Sequence, residues 1–348
     1  HSNMPLDGKF DQNALPGNGK LEVAVGRIDF EELPSFKNRA WLGNLTTEAA
    51  VERALMTNYF ARNAAFRRGQ LGTFSDAITT FTTDRQFWIL SDSHARLRMA
   101  QTGTVPGYGE FGYDIFTRPG LPQYWGLHGG YGQYYQITGD PLPRVTEDLA
   151  KGLFTPDASF VILRGSNFPN WGYPFAESFV KSCLGSPGSA LAVLWAGGGG
   201  GAGMATGPWR SGRMFLGGSL GDMLLDTFNG PVPQSARTTF IFGDPTLRMF
   251  QTTPVTGLSA SRSGSTVELL WSACSSPGAT YHVYRSPTAL PNSWARLTTN
   301  PTSQFNFINT SVPSGTHHYL VRSVVLRTSG GGSYYDLSHG TRTSIVVP

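Results

Sequence analysis

Apolar runs alternate with stretches of helical spacing along roughly the first 250 positions of the chain. "KLEVAVGRI" (20 to 28) predicts a strand. "TTEAAVERALMTNYFARNAAFRRG" (46 to 69) predicts a helix capped by Thr46 or Thr47, with Ala50, Ala54, Leu55, Met56 and Phe60 near helical spacing. "RQFWILSDS" (85 to 93), "PQYWGLHGG" (122 to 130), "ASFVILRGS" (158 to 166) and "SALAVLWAGG" (189 to 198) each end an apolar run in small or polar residues and predict strands. "PFAESFVKSCL" (174 to 184) predicts a helix with proline in its first turn, and "FLGGSLGDMLLDTF" (215 to 228) another, before "ARTTFIFGDPTLRMF" (236 to 250). Such alternation implies βαβ units and a mostly parallel sheet covered on both faces, with the functional crevice along the carboxyl ends of the strands. Those ends are Asp92 and Ser93, His128 to Gly130, Gly165 to Asn167, and Gly197 onward.

After "TTP" (252 to 254) the period changes to two. Val267, Leu269 and Trp271 alternate, as do Tyr281 and Val283, and Tyr319, Val321 and Val325, with turn residues between the runs and no helix. This predicts an antiparallel sandwich. Two domains, 1–251 and 252–348, also fit a chain of 348 residues, which exceeds the size at which one core stops growing. "MFQTTPVTG" is the short linker between them, and limited interdomain motion is expected.

Charged residues make up only 14% of the chain, while glycine and proline number 43 and 23, the look of a loop-rich protein from outside the cytoplasm. The net charge of +4 comes from basic residues scattered without a run, so no nucleic-acid partner is expected. No stretch approaches the length of a membrane span. The chain opens at "HSNMPLDGKF" with neither an initiator methionine nor a signal peptide, and reads as a processed or truncated piece. Cys183 and Cys274 fall in different predicted domains, so no bridge and no metal spacing is expected; Cys183 reads as an inert buried thiol.

The glycine run "AGGGGGAG" (196 to 203) comes after a strand, but "MATGPWRSGR" beyond it lacks the helix a dinucleotide fingerprint requires, so it reads as a loop over the crevice. Asp7 and Asp11, with Asn13, offer a partial calcium loop; an Asx-rich surface turn accounts for the same residues. No other cofactor is implied. Among the histidines, His282, His317, His318 and His339 fall in the sandwich without acidic or thiol company, and His94 comes after "SDS". His128 in "WGLHGGYGQ" stands at a strand end before two glycines, where it reads equally as a general base or as a structural histidine. Tyr131, Tyr134, Tyr135, Trp171 and Trp209 lie in predicted loops, where they suit an interface or ordinary loop packing.

Four patches, "VAVGRIDF", "GLHGG", "FAES" and "FGDPTLRMF", together resemble the gingipain family of cysteine peptidases. The resemblance implies a caspase-like α/β domain followed by an immunoglobulin-like sandwich. The order "PVTGLSAS", "VELLWSA", "YHVYRS", "SGTHHYLVRSV" is in turn similar to a fibronectin type III module. Carried over, His128 matches the catalytic histidine, with Leu127 replacing a glycine of the motif. Ser166, or Gly165 if the alignment slips by one, stands where the catalytic cysteine is expected. A hydroxyl in a site shaped for a thiolate is a far poorer nucleophile.

Three expectations emerge. The first is a catalytically degenerate gingipain-like protein, secreted or on the cell surface, that binds protein or peptide or supports an extracellular assembly. The second is a peptidase in which His128 activates Ser166, Asp92 orients the imidazole, and amides around Gly129 and Gly165 hold the oxyanion. The third is a structural or adhesive subunit whose crevice is filled.

Overall fold

A computed structural model describes residues 23–72, 74–82, 87–103, 115–116, 122–138, 142–164, 177–196, 209–230 and 239–348. The chain divides into two compact units, His1–Phe60 with Thr73–Arg248, and Ala61–Gly72 with Met249–Pro348.

The first unit is α/β. Its elements run α1 (Glu48–Arg67), β1 (Ser75–Thr82), α2 (Phe87–Thr102), β2 (Gln123–Gly129), β3 (Gly132–Gln133), β4 (Gln136–Ile137), β5 (Arg144–Val145), α3 (Thr146–Lys151), β6 (Ala158–Arg164), α4 (Phe179–Gly185), β7 (Ala192–Ala196), α5 (Gly212–Phe215), α6 (Leu220–Asn229) and β8 (Thr239–Gly243). The main sheet has the order β1-β2-β6-β7-β8. Its first four strands are parallel, and β8 pairs antiparallel with β7. Every residue of β6 is buried, as a central strand covered on both faces requires.

On one face, Val161, Leu163, Val193 and Trp195 pack with Val51, Leu55 and Tyr59 of α1 and with Phe179, Val180, Cys183 and Leu184 of α4. Full burial raises the Cys183 thiol pKa well above its ordinary value, so this cysteine is inert as expected. Thr47 caps α1 through its hydroxyl, which accepts from the Ala50 amide at 3.4 Å. Helix α6 starts on a full capping box between Ser219 and Asp222.

Three local readings need correction. Residues 87–93 of the run at 85–93 are helical, the first part of α2, so Asp92 is a helix residue rather than one at a strand's carboxyl end. The strand that precedes it is "SDAITTFT", β1, whose polar threonines hide it from an apolar-run reading. Of the predicted strand at 20–28, the described residues 23–28 make one bridge, Arg27 to Phe242. There, Arg27 N donates to Ile241 O at 3.0 Å and Gly243 N donates to Arg27 O at 2.7 Å. Only glycine fits beside that bridge: a Cβ on Gly26 would stand 2.2 Å from Gly243 O.

The second unit holds two antiparallel sheets. Its strands are β9 (Thr256–Ser263), β10 (Thr266–Ser272), β11 (Thr280–Ser286), β12 (Ala295–Arg296), β13 (Asn306–Asn309), β14 (Gly315–Ser329), β15 (Gly332–Leu337) and β16 (Thr341–Val347). One sheet has the order β13-β10-β9; the other runs β12-β11-β14-β15, with β16 also on β14. Val267, Leu269, Trp271, Tyr281, Val283, Tyr319 and Val321 form the core between them, the alternating positions read from the sequence. The proposed linker is partly anchored within this unit, since Thr252 donates its hydroxyl to buried Asp336 at 2.7 Å.

Candidate functional site

The parallel topology brings the ends of β2, β6 and β7 to one edge of the sheet. Register pairs His128 with Leu163 and Gly129 with Arg164, and Gly130 N extends the ladder to Arg164 O at 3.1 Å. His128 therefore stands at the carboxyl end of β2, as its apolar run predicts. It is fully buried.

The segment after β2 determines how the imidazole is held. The chain turns at Gly129 and Gly130 into the small antiparallel sheet β3-β4-β5. That sheet returns Thr138 to the strand end, where its amide donates to Tyr131 O at 3.0 Å. The Thr138 carbonyl lies 2.8 Å from His128 Nε2. A carbonyl can only accept, so Nε2 carries the proton of this bond, and in the neutral ring the lone pair is on Nδ1. Phe116 sets its ring edge-on to the imidazole, with centroids 5.2 Å apart, and Phe179 packs on Phe116 in turn. This bond and the aromatic contact hold the imidazole with Nε2 toward Thr138 O.

The start of α4 is braced from several directions. Ser178 caps it, accepting from the Lys181 amide. Phe179 N donates to Tyr134 O at 2.6 Å, tying α4 to the turn between β3 and β4. The carboxylate of Glu177, in the "FAES" patch, accepts from the Ser35 amide. Lys181, buried in α4, donates to Asp29 at 3.1 Å and to Glu31 O at 3.2 Å. Burial pushes the Asp29 carboxyl up, but the Glu31 amide, Arg27 and Lys181 outweigh it and hold it below the ordinary carboxylate range.

Ser166 and Gly165 lie outside the described residues, as do the calcium candidates Asp7 and Asp11, the glycine run from 197 to 203, and Trp171. Asp92 belongs to α2 and His94 is buried in the same helix. Among the described residues Thr138 O orients His128, a partner that sequence reasoning missed because every residue carries a carbonyl. Tyr131 and Tyr135 are exposed near the site, whereas Trp209 is buried and unsuited to the interface role considered for it. Among the described residues no group of three or more histidine, cysteine or acidic side chains is placed to hold a metal ion. Among them, too, no helix is long and apolar enough to cross a membrane.

No protein-family model matches the chain, and neither does any curated protein. Solved structures give partial similarities. A protease aligns over 85% of this chain and 73% of its own length, at 11% identity and a TM-score of 0.42. An Fn3-like protein from Clostridium thermocellum aligns over 24% of this chain and 86% of its own, at 33% identity and a TM-score of 0.18. The pectate lyase PelI from Erwinia chrysanthemi, in complex with tetragalacturonic acid, aligns over 26% of this chain and 28% of its own, at 25% identity and a TM-score of 0.21. All three TM-scores are low.

Proposed function

We propose that this chain is a gingipain-like protein with a caspase-like α/β unit and a fibronectin type III sandwich, secreted or displayed at the cell surface. Its peptidase site is degenerate, and it binds protein or peptide or supports an extracellular assembly. The observation that carries this reading is the 2.8 Å bond from His128 Nε2 to the Thr138 carbonyl. A neutral carbonyl orients the ring but does little to compensate a full imidazolium charge, which in serine triads falls to a buried aspartate. Such a base suits a thiol, whose proton is lost close to neutrality, and not a hydroxyl. Serine stands at position 166, where the resemblance puts the thiol. The base is matched to a nucleophile that the chain does not carry there.

A second reading, an endopeptidase in which His128 activates Ser166, draws on the Nε2–H bond that leaves the His128 lone pair on Nδ1 and on the glycines that follow at 129 and 130. The low charged content and the abundance of glycine and proline support the extracellular setting.

The test is amidolysis across a peptide library by the purified chain and by His128→Ala, Ser166→Ala and Ser166→Cys. The expected result is silence from the unaltered protein and, in Ser166→Cys, a thiol alkylated by peptidyl chloromethyl ketones only when His128 is present. Cleavage by the unaltered chain that both alanine variants abolish would replace this reading with the peptidase.

A further inference from the structure

Two hollows along helix α1 stand apart from His128 and take no part in the reading above. One, of about 310 Å³, is walled by Glu31, Glu32, Glu48 and Glu52 over a floor that includes Phe30 and Leu33. The other, of about 390 Å³, is lined by Met56, Thr57 and Phe60. Ala49 and Glu52 line both, so the two are successive parts of one groove along the helix.

The two ends of the groove differ in character. Glu48 is paired with Lys37 at 2.8 Å, while the carboxylates of Glu31, Glu32 and Glu52 form no ion pair among the described residues. Three uncompensated carboxylates on an otherwise net positive chain make a local negative field. At the far end Phe60 is half exposed, at 51%, beside the partly buried Met56. Arg53, the residue after Glu52 on α1, borders the same hollow.

We infer that this groove docks an extended peptide segment of another protein, carrying a lysine or arginine that enters the glutamate end and a large apolar side chain that covers Phe60 and Met56. Charge complementarity selects the basic residue, and the exposed apolar surface selects its neighbour. The geometry sets their spacing. Phe60 lies eight helical steps beyond Glu52, a rise of about 12 Å, which an extended chain crosses in about four residues. The basic residue and the apolar one therefore stand about four positions apart.

The test uses the full chain and short fluorescent peptides holding one lysine and one phenylalanine four positions apart in a glycine–serine background. Saturable binding is expected, weaker at high salt, with a loss of about tenfold or more when the peptide lysine becomes glutamate or when the protein carries Glu52→Lys or Phe60→Ser. The peptide-side reversal needs no altered protein, so it decides the question even if a variant folds poorly. No saturable binding, or binding indifferent to the peptide's lysine and to both substitutions, overturns the inference.

Discussion

Lys181 Nζ lies 3.1 Å from Asp29 Oδ2, with both side chains buried, and this pair joins helix α4 to the segment that runs beside β8. Arg27 sits on the same carboxylate oxygen at 2.6 Å but is half exposed. The three charges are therefore unequal: Lys181 depends on Asp29, while Asp29 has a second cation.

That inequality orders two substitutions. Asp29→Asn leaves a buried ammonium without its counter-ion and is expected to cost about 3 kcal/mol or more. Lys181→Met leaves the carboxylate with Arg27 and is expected to cost less. Urea denaturation of the two variants and of the double variant measures the order, and a larger loss for Lys181→Met would contradict it.

Stability should also fall with acid in two stages. The His282 pKa is lowered, first by burial and then by Arg296, so its protonation is disfavoured in the fold. Its contribution is present above the unfolded value of about 6.5 and is lost as pH falls through the lower folded value. The depressed carboxyl of Asp29 acts later, its contribution fading from about pH 5 downward through a folded value below the ordinary one. Thermal melts between neutral and acidic pH should show both slopes. His282→Gln should flatten the first and Asp29→Asn the second.

Backbone geometry predicts a sharp contrast between glycines. Gly243 has φ of +126° and a Cβ there would stand 2.4 Å from Leu191 O, so Gly243→Ala is expected to destabilise by at least about 2 kcal/mol. At Gly212, in α5, a Cβ meets nothing within 4 Å. Gly212→Ala should be neutral or stabilise by up to about 1 kcal/mol. Equal effects at the two positions would be the wrong outcome.

The capping box of α6 gives a smaller, cleaner test. Ser219 N donates to Asp222 Oδ2 at 2.7 Å and Asp222 N to Ser219 Oγ at 3.2 Å. Ser219→Ala should cost about 1 kcal/mol, read from the same denaturation curves.

Strands β2, β6 and β7 are legible in the sequence because central parallel strands are apolar on both faces, and a run such as "FVILR" announces that. The sandwich is legible through the alternation of Val267, Leu269 and Trp271. The same rule misreads Phe87 to Leu90, since a short apolar run fits a turn of helix as well as a strand, and length alone separates them. That ambiguity carries Asp92 to a strand end it does not occupy. At the site, His128 stands out by its letter and its glycines, but its orientation rests on a main-chain oxygen, fixed only by how three two-residue strands fold back. The segments "VAVGRIDF" and "FGDPTLRMF" meet at Arg27 and Gly243, and Glu177 and Lys181 tie the start of α4 to Ser35 and Asp29.

The contact of Arg27 with β8 also bears on solubility. An outer strand carrying Phe240, Ile241 and Phe242 is a template on which identical molecules can stack through their unpaired amides. The stretch around Gly26 and Arg27 occupies part of that rim, and its closeness, tolerated only by a residue without a side chain, leaves little room for an intruding strand. Cutting the chain back past Arg27 should raise its tendency to aggregate, measured by light scattering against the uncut chain.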